Sequence, residues 1–193
     1  MIEQRGPWKI TARTWPYIDP WVKVQRDEVI RPDGQPGTYA VIHIKPGVCV
    51  LALDDAGDVH LTDEFHYAVN SHTLECVSGG RDNEEEPLLA AQRELKEELG
   101  IEAGEWIDLG SVDPFTASLL SPTQLFLARQ LRFTAASPEG TEQIRHVVMS
   151  LAQAVERVMR SEITHAPSMT LILKVAQLLK SPHHPGTGTQ TSS

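Results

Sequence analysis

The sequence predicts an α/β fold of the α+β kind: a mixed β-sheet with helices packed on it, preceded by an N-terminal extension of antiparallel strands. Three observations predict it. Short runs rich in Val, Ile, Thr and aromatics, broken by turn residues, fill the chain to about residue 78. One helical period follows at 87–99. Strand-like runs then resume and give way to two further helical periods before residue 181.

Taken in order, WKITART and WVKVQRDEVI are two strands, and RPDGQPG at 31–37 is a breaker. TYAVIHI and VCVLALD are strands separated by the Pro46-Gly47 turn, and DDAGD turns the chain into VHLTDEFHY. Arg81 to Glu86 is a charged loop. Pro87 to Leu99 then carries helix signals at both ends: Pro in the first turn, Glu84, Glu85 and Glu86 beside the positive end of the dipole, and Gly100 at the stop. Leu88, Ala91, Leu95 and Leu99 recur at three- and four-residue steps and define one buried stripe. Strands resume at Glu105–Val112, Gln124–Phe133 and Ile144–Met149. Ser150 with Gln153 three residues on is a capping box opening a second helix, and MTLILKVAQLLK forms a third after Pro167-Ser168. The division expected is an N-terminal strand extension at 1–45, a main domain at 46–180, and a disordered Pro/Gly/Ser/Thr-rich tail at 181–193.

The 193 residues hold 17 Lys+Arg against 26 Asp+Glu, a formal charge of −9. Such a chain lacks the clustered cations that phosphate-backbone or anionic-membrane binding needs, which excludes nucleic-acid and membrane partners. No apolar window is long enough to span a bilayer and the start MIEQRGPWKI has no apolar h-region, so a cytoplasmic location is expected. Cys49 and Cys76 sit in apolar runs, as buried free thiols do.

The chemistry concentrates between Gly79 and Ile101. On a helix, Glu94 lies three and four residues from Glu97 and Glu98, so three carboxylates share one edge. They repel unless a cation sits among them, and an all-oxygen set suits a hard divalent ion that also bridges to phosphates. Arg93 can pair with Glu97 at i,i+4 and hold its rotamer. The Gly79-Gly80 pair permits a close backbone approach. A bare E..EE is more often a solvated helix face, but the spacing decides otherwise. Gly79, Glu85, Arg93, Glu94, Leu95, Glu97, Glu98, Gly100 and Ile101 occupy every fixed position of the Nudix box, a pattern that chance places at a given start about once in 10⁸.

The segment thus resembles the Nudix hydrolases, and the stretch from about Trp8 to Leu179 is similar to their ADP-ribose pyrophosphatase branch, through Pro20-Trp21, DEFHY at 63–67, Glu75, Pro114 and SEITHAPS at 161–168. The resemblance implies an α/β/α sandwich and Mg²⁺-dependent hydrolysis, with Mn²⁺ able to substitute, of a nucleoside diphosphate linked to another group. ADP-ribose, cut to AMP and ribose 5-phosphate, leads among the substrates. It implies Glu94, Glu98 and Glu97 with the Ser78 carbonyl as metal ligands, Arg93 and Glu85 as their orienters, and Glu97 as a further candidate for the base. Glu142 or Glu139, in TAASPEGTEQIR, would be that base. Glu75 would hold the nucleoside end, Trp21 would stack on the base or pack as an interface aromatic, and His66 and Pro114 would complete the substrate site. The resemblance also implies that the strand extension at 1–45 serves dimerisation, its strands exchanging between the two subunits of a homodimer. His66 stands where the branch usually has Arg, which implies a weaker phosphate contact. Val77-Ser78 replaces the usual Pro-Ala, and FTASLLSP replaces a Gly-rich segment after Pro114, so another nucleotide sugar, a dinucleoside or a cofactor diphosphate is an alternative substrate. A Nudix-fold regulator that binds without turnover is the reading from another class, against which the intact glutamates argue. His43, His60, His66, His72, His146 and His165 fit no zinc spacing and read as satisfied or solvent-facing imidazoles.

Overall fold

A computed structural model of the chain describes residues 3–82, 84–136 and 143–180. In chain order the strands are β1 (Glu3–Arg5), β2 (Trp8–Ile18), β3 (Val22–Ile30), β4 (Pro36–Ile44), β5 (Gly47–Leu53), β6 (Asp58–His66), β7 (Ser71–Glu75) and β8 (Val77–Gly80). Helix α1 (Pro87–Leu99) follows, then β9 (Ile101–Val112), β10 (Leu119–Leu120), β11 (Thr123–Phe133), β12 (Arg145–Ser150), α2 (Leu151–Met159) and α3 (Ala166–Lys180). Among the described residues no helix is long and apolar enough to cross a membrane.

The strands make two sheets. The first, ordered β1-β2-β3-β4-β10, is antiparallel apart from the short parallel pairing of β10 with β4. The second runs β12-β6-β5-β11-β9, with β7 on β6 and β8 on β5, and is mixed because β11 lies parallel to β5. Strand alternation on β5 builds a core on each face. Cys49, Leu51 and Leu53 pack with Ala154 and Val158 of α2 and Leu171, Ile172 and Val175 of α3. Val48, Val50 and Ala52 pack with Ala90, Ala91, Leu95 and Leu99 of α1. The helices therefore flank opposite faces, the expected sandwich. Cys49 and Cys76 are free and buried, and burial pushes the Cys49 thiol up.

Several elements differ from expectation. β2 continues past Thr14 to Ile18, with Pro16 at an irregularity in the pairing with β3 between Thr14 and Tyr17, the kind of place where a strand tolerates proline. β9 begins at Ile101 rather than Glu105, and β10 was not expected at all. The buried stripe of α1 runs through Ala90, Ala91, Leu95 and Leu99, while Leu88 at the first turn stays 38% exposed. The acids Glu84–Glu86 lie just before the helix, beside its positive end as expected, but the Glu86 side chain makes no capping bond. Both ends of α1 and the Ser150–Gln153 capping box of α2 fall where the sequence puts them.

Candidate active site

Gly79 decides how the carboxylate helix meets the sheet. A Cβ built on it would come within 2.5 Å of both carboxylate oxygens of Glu94, so the glycine is a cradle into which that side chain fits. β8, which carries Ser78 and Gly79, is held to β5 in register with Cys49 and Val48. The backbone of the Gly79-Gly80 turn and the α1 carboxylates are thereby fixed against each other.

Arg93 organises the negative charge. Its Nη1 donates to Glu94 Oε1 at 2.8 Å and to Glu97 Oε2 at 3.1 Å, while Nε and Nη2 donate to the two Glu85 oxygens at 3.1 and 3.2 Å. Nη2 also donates to the Gly80 carbonyl at 3.1 Å. Three carboxylates and one carbonyl thus converge on one guanidinium, whose planar fork alone offers so many fixed donors. Hydrogen bonding to Glu85 raises the Arg93 pKa further, overcoming its partial burial, and the same bond lowers the Glu85 carboxyl below its usual range. Glu85 also accepts from the Asp82 N–H, closing the loop before the helix. Glu98 lies half-buried one helical turn beyond Glu94.

Among the described residues no three His, Cys, Asp or Glu side chains are already gathered as a metal cage. The donors nevertheless fit a hard divalent cation. They are all oxygen, they are cradled against glycine backbone, and such an ion takes few protein ligands and keeps waters. Glu94, Glu97, Glu98 and the Ser78 carbonyl could hold it.

Beside the turn lies a cavity of about 300 Å³ whose wall includes Ser78, Gly79, Gly80, Trp21, Lys45 and His165. Trp21 stands on its rim, 72% exposed. Its turn is set by Asp19, whose Oδ1 accepts from the Trp21 and Val22 N–H groups. Glu75 is behind the wall. Only 8% exposed, it accepts from Thr73 Oγ1 at 2.6 Å, and its oxygens face His165 Nδ1 at 3.0 Å and His66 Nε2 at 3.3 Å. Burial pushes its pKa up, but the hydrogen bond and charge of His165, the Thr73 hydroxyl and His66 outweigh it, and the net shift is downward. The structure thus brings Ser78, Trp21 and the Gly79-Gly80 turn together, with Glu75 and His66 joined just behind. Pro114 lies off this cavity, in the bend between β9 and β10, and residues 116–120 line a separate cavity of about 350 Å³ under the first sheet. Glu139 and Glu142 lie outside the described residues.

Two wall residues escaped the sequence reading. Lys45 pairs with Asp82 at 2.9 Å and sits across Gly80, with no motif to mark it. His165 falls within SEITHAPS and among the histidines with no zinc spacing, and neither pattern gives it a place in this cavity. Its partners come from β7 and α3, a long-range arrangement no local pattern reveals.

Comparison with known proteins adds to this geometry. The family model described as NUDIX domain matches residues 43–174, and the one described as nucleoside diphosphate sugar hydrolase N-terminal domain matches residues 8–42. The chain is 29% identical over 156 residues to an ADP-ribose pyrophosphatase of Mycobacterium tuberculosis, covering 79% of this chain and 75% of that protein. It is 24% identical over 165 residues to a methanol dehydrogenase activator of Bacillus methanolicus, covering 82% and 88%. Among solved structures, a crystal structure of an ADP compounds hydrolase superposes with a TM-score of 0.79 at 19% identity, over 92% of this chain and 97% of that one.

Proposed function

Because this chain belongs to the NUDIX domain family and is a Nudix hydrolase, we propose that it cleaves the diphosphate of a sugar-linked nucleoside diphosphate, ADP-ribose before others, yielding AMP and ribose 5-phosphate. The observation that carries the reading is the Arg93 clamp on Glu85, Glu94 and Glu97, closed against Gly79 at the edge of a cavity with Trp21 on its rim.

Glu94 and Glu98, assisted by Glu97 and the Ser78 carbonyl, are the groups that would hold Mg²⁺ or Mn²⁺. When bound, the metal neutralises charge on the diphosphate oxygens and makes water a better nucleophile at neutral pH. Arg93 keeps Glu94 and Glu97 in place while the cation is absent, which lowers the cost of assembling like charges. The oxygen of water bonds to phosphorus as the bridging P–O bond breaks, and that electron pair leaves with the second phosphate. The water proton passes to Glu142 or Glu139, the carboxylates we assign as base. Trp21 offers a face for the nucleobase, since base–aromatic stacking tolerates any base. Glu75 and His66 act at the nucleoside end.

The units we propose are the strand extension at 1–45, the hydrolase domain at 46–180 and the tail at 181–193. The first sheet supports a homodimer: Tyr17, Val24 and Ile42 share one row of its face and Val22 and Ile44 the next, with Tyr17, Ile42 and Ile44 exposed. Contiguous exposed apolar surface of this kind marks an interface, which light scattering on the purified protein would test.

The functional test is release of phosphate monoester from a panel of sugar nucleotides, dinucleoside diphosphates and cofactor diphosphates, with and without Mg²⁺. ADP-ribose is expected to lead. Turnover of nothing in the panel would refute the substrate reading, and full activity in Glu98→Gln would refute the metal assignment.

A further inference from the structure

Glu75 was expected to hold the nucleoside end of the substrate, yet it is buried and both its oxygens already face protein partners. The group it presents to the cavity is an imidazole. His165 stands at the entrance to α3, with Nδ1 3.0 Å from Glu75 Oε2 and 2.8 Å from Ser168 Oγ. Ser168 is fully buried and accepts the Cys76 N–H at 2.9 Å, so the ring is fastened from two elements, β7 and α3.

This fixes the proton. An ionised carboxylate can only accept, and the Glu75 carboxyl is held below its usual range, burial being outweighed by His165, Thr73 and His66. Two lone pairs facing each other at 3.0 Å would repel, so Nδ1 carries the hydrogen. The other ring nitrogen of neutral imidazole is then an acceptor. His165 lines the 300 Å³ cavity, and with Nδ1 turned inward, Nε2 is the nitrogen left to it.

Such an acceptor could meet a substrate hydroxyl or the attacking water, and the cavity wall around it favours the hydroxyl. Leu171 and Ile172 of α3 pack on the Cys49–Leu51 face of β5, whereas Ala91 and Leu95 of the carboxylate helix pack on the Val48–Val50 face. Both nevertheless reach this cavity, since Gly79, which cradles the Glu94 carboxylate, lines it together with His165. What favours the hydroxyl is the rest of the wall: besides the Ser78–Gly80 backbone it carries Trp21, Ser121 and Thr123, the aromatic and hydroxyl company that suits a nucleoside or sugar.

We infer that His165 Nε2 accepts a hydrogen bond from a sugar hydroxyl of the substrate, with Glu75 as the positioning residue that selects its tautomer. This deepens the proposed function and rests on it. It makes the site selective for ligands with an intact hydroxyl at one ribose position, because an analogue lacking it leaves the acceptor unpaired.

The test is kcat/KM for ADP-ribose, or whichever sugar nucleotide the panel shows to be turned over, beside its 2′-, 3′-, 2″- and 3″-deoxy analogues. The enzymes are wild type, His165→Ala and His165→Gln. Wild type should lose about tenfold on one analogue, the worth of a partly exposed hydrogen bond. His165→Ala should lose a similar factor on the parent, mainly through KM, and show no further loss on that analogue. Gln, whose side-chain oxygen can accept, should restore part of the discrimination. Unchanged discrimination in His165→Ala overturns the inference. So does a fall in kcat that is equal for parent and analogues, which would mark proton transfer. For Glu75, ¹⁵N spectra should show the Nδ1–H tautomer of His165 in wild type and a mixture in Glu75→Gln; an unchanged tautomer refutes the positioning role. If wild type turns over no sugar nucleotide, the proposed function itself falls, an outcome distinct from all of these.

Discussion

Replacing Gly79 with Ala should abolish most activity while leaving the fold intact, because the nearest atoms the added methyl meets all belong to the reactive end of one side chain. Its Cβ would lie within 2.5 Å of both Glu94 oxygens. Ordinary carbon contacts lie at about 3.5 Å, so the carboxylate must retreat by roughly 1 Å, abandoning the bond from Arg93 Nη1 at 2.8 Å. A misplacement of about 1 Å in a reacting constellation costs about 100-fold in rate. The fold has little reason to object. Gly79 has no positive φ, the obstacle is a flexible side chain, and Ala loses less entropy than Gly on folding. The expected result is a fall of about 100-fold in kcat/KM with a higher Mg²⁺ requirement, and a Tm in chelator within about 3 °C of wild type, corresponding to less than about 1 kcal/mol. A steady-state Mg²⁺ titration and a melt decide it. Glu94→Asp, which withdraws the carboxylate by one methylene, should cost less in the Gly79→Ala background than in wild type, a coupling that a double-mutant cycle isolates. Wild-type turnover and Mg²⁺ dependence in Gly79→Ala would refute the cradle.

Gly100→Ala should do the opposite: Gly100 has φ +63° and its Cβ would meet backbone, Thr134 O at 2.5 Å and Ala136 N at 2.6 Å, so a loss of about 3 kcal/mol and a Tm lower by roughly 8 °C are expected, with activity retained in the folded fraction. Arg93→Lys should lower kcat at least about tenfold, since a single ammonium cannot serve Glu85, Glu94, Glu97 and the Gly80 carbonyl together; steady-state kinetics with saturating Mg²⁺ checks it, and unchanged kcat would count against the clamp. His146, lowered from the usual 6.5 by burial and by His60 at 2.9 Å, resists a proton that the unfolded chain takes up, so stability falls as pH drops from about 7 to 5. Denaturant melts of His146→Gln should be flatter across that window, while the loss from the depressed Glu75 and Asp27 carboxyls, which appears only on further acidification below about 4.5, should remain.

The contrast between the two glycines shows what a sequence pattern conveys and what it leaves out. Both belong to one motif, and on the page of letters they are equivalent. Gly100 is legible as a helix stop, because a chain leaving a helix needs a left-handed residue and the residues that follow read as strand. Gly79 is legible only as permission for close approach; which group approaches depends on β8 pairing with β5 and α1 packing on that sheet, contacts between segments far apart in sequence. The same division holds for the rest of the site. Arg93 with Glu97 follows from helical spacing, and the structure keeps that pair at 3.1 Å, whereas Arg93 with Glu85 and the Gly80 carbonyl needs the loop to fold back on the helix. The expected strand WKITART stops at Thr14, because a local pattern carries no sign of the irregularity against the neighbouring strand at which β2 runs on through Pro16. His165 is the extreme case. Nothing within four residues of it marks an acceptor in a binding cavity, because the carboxylate that fixes its proton arrives from ninety residues earlier, on another strand. A motif specifies the part of the site that one continuous segment can hold; the selectivity is written where separate segments meet, and there only the fold can be read.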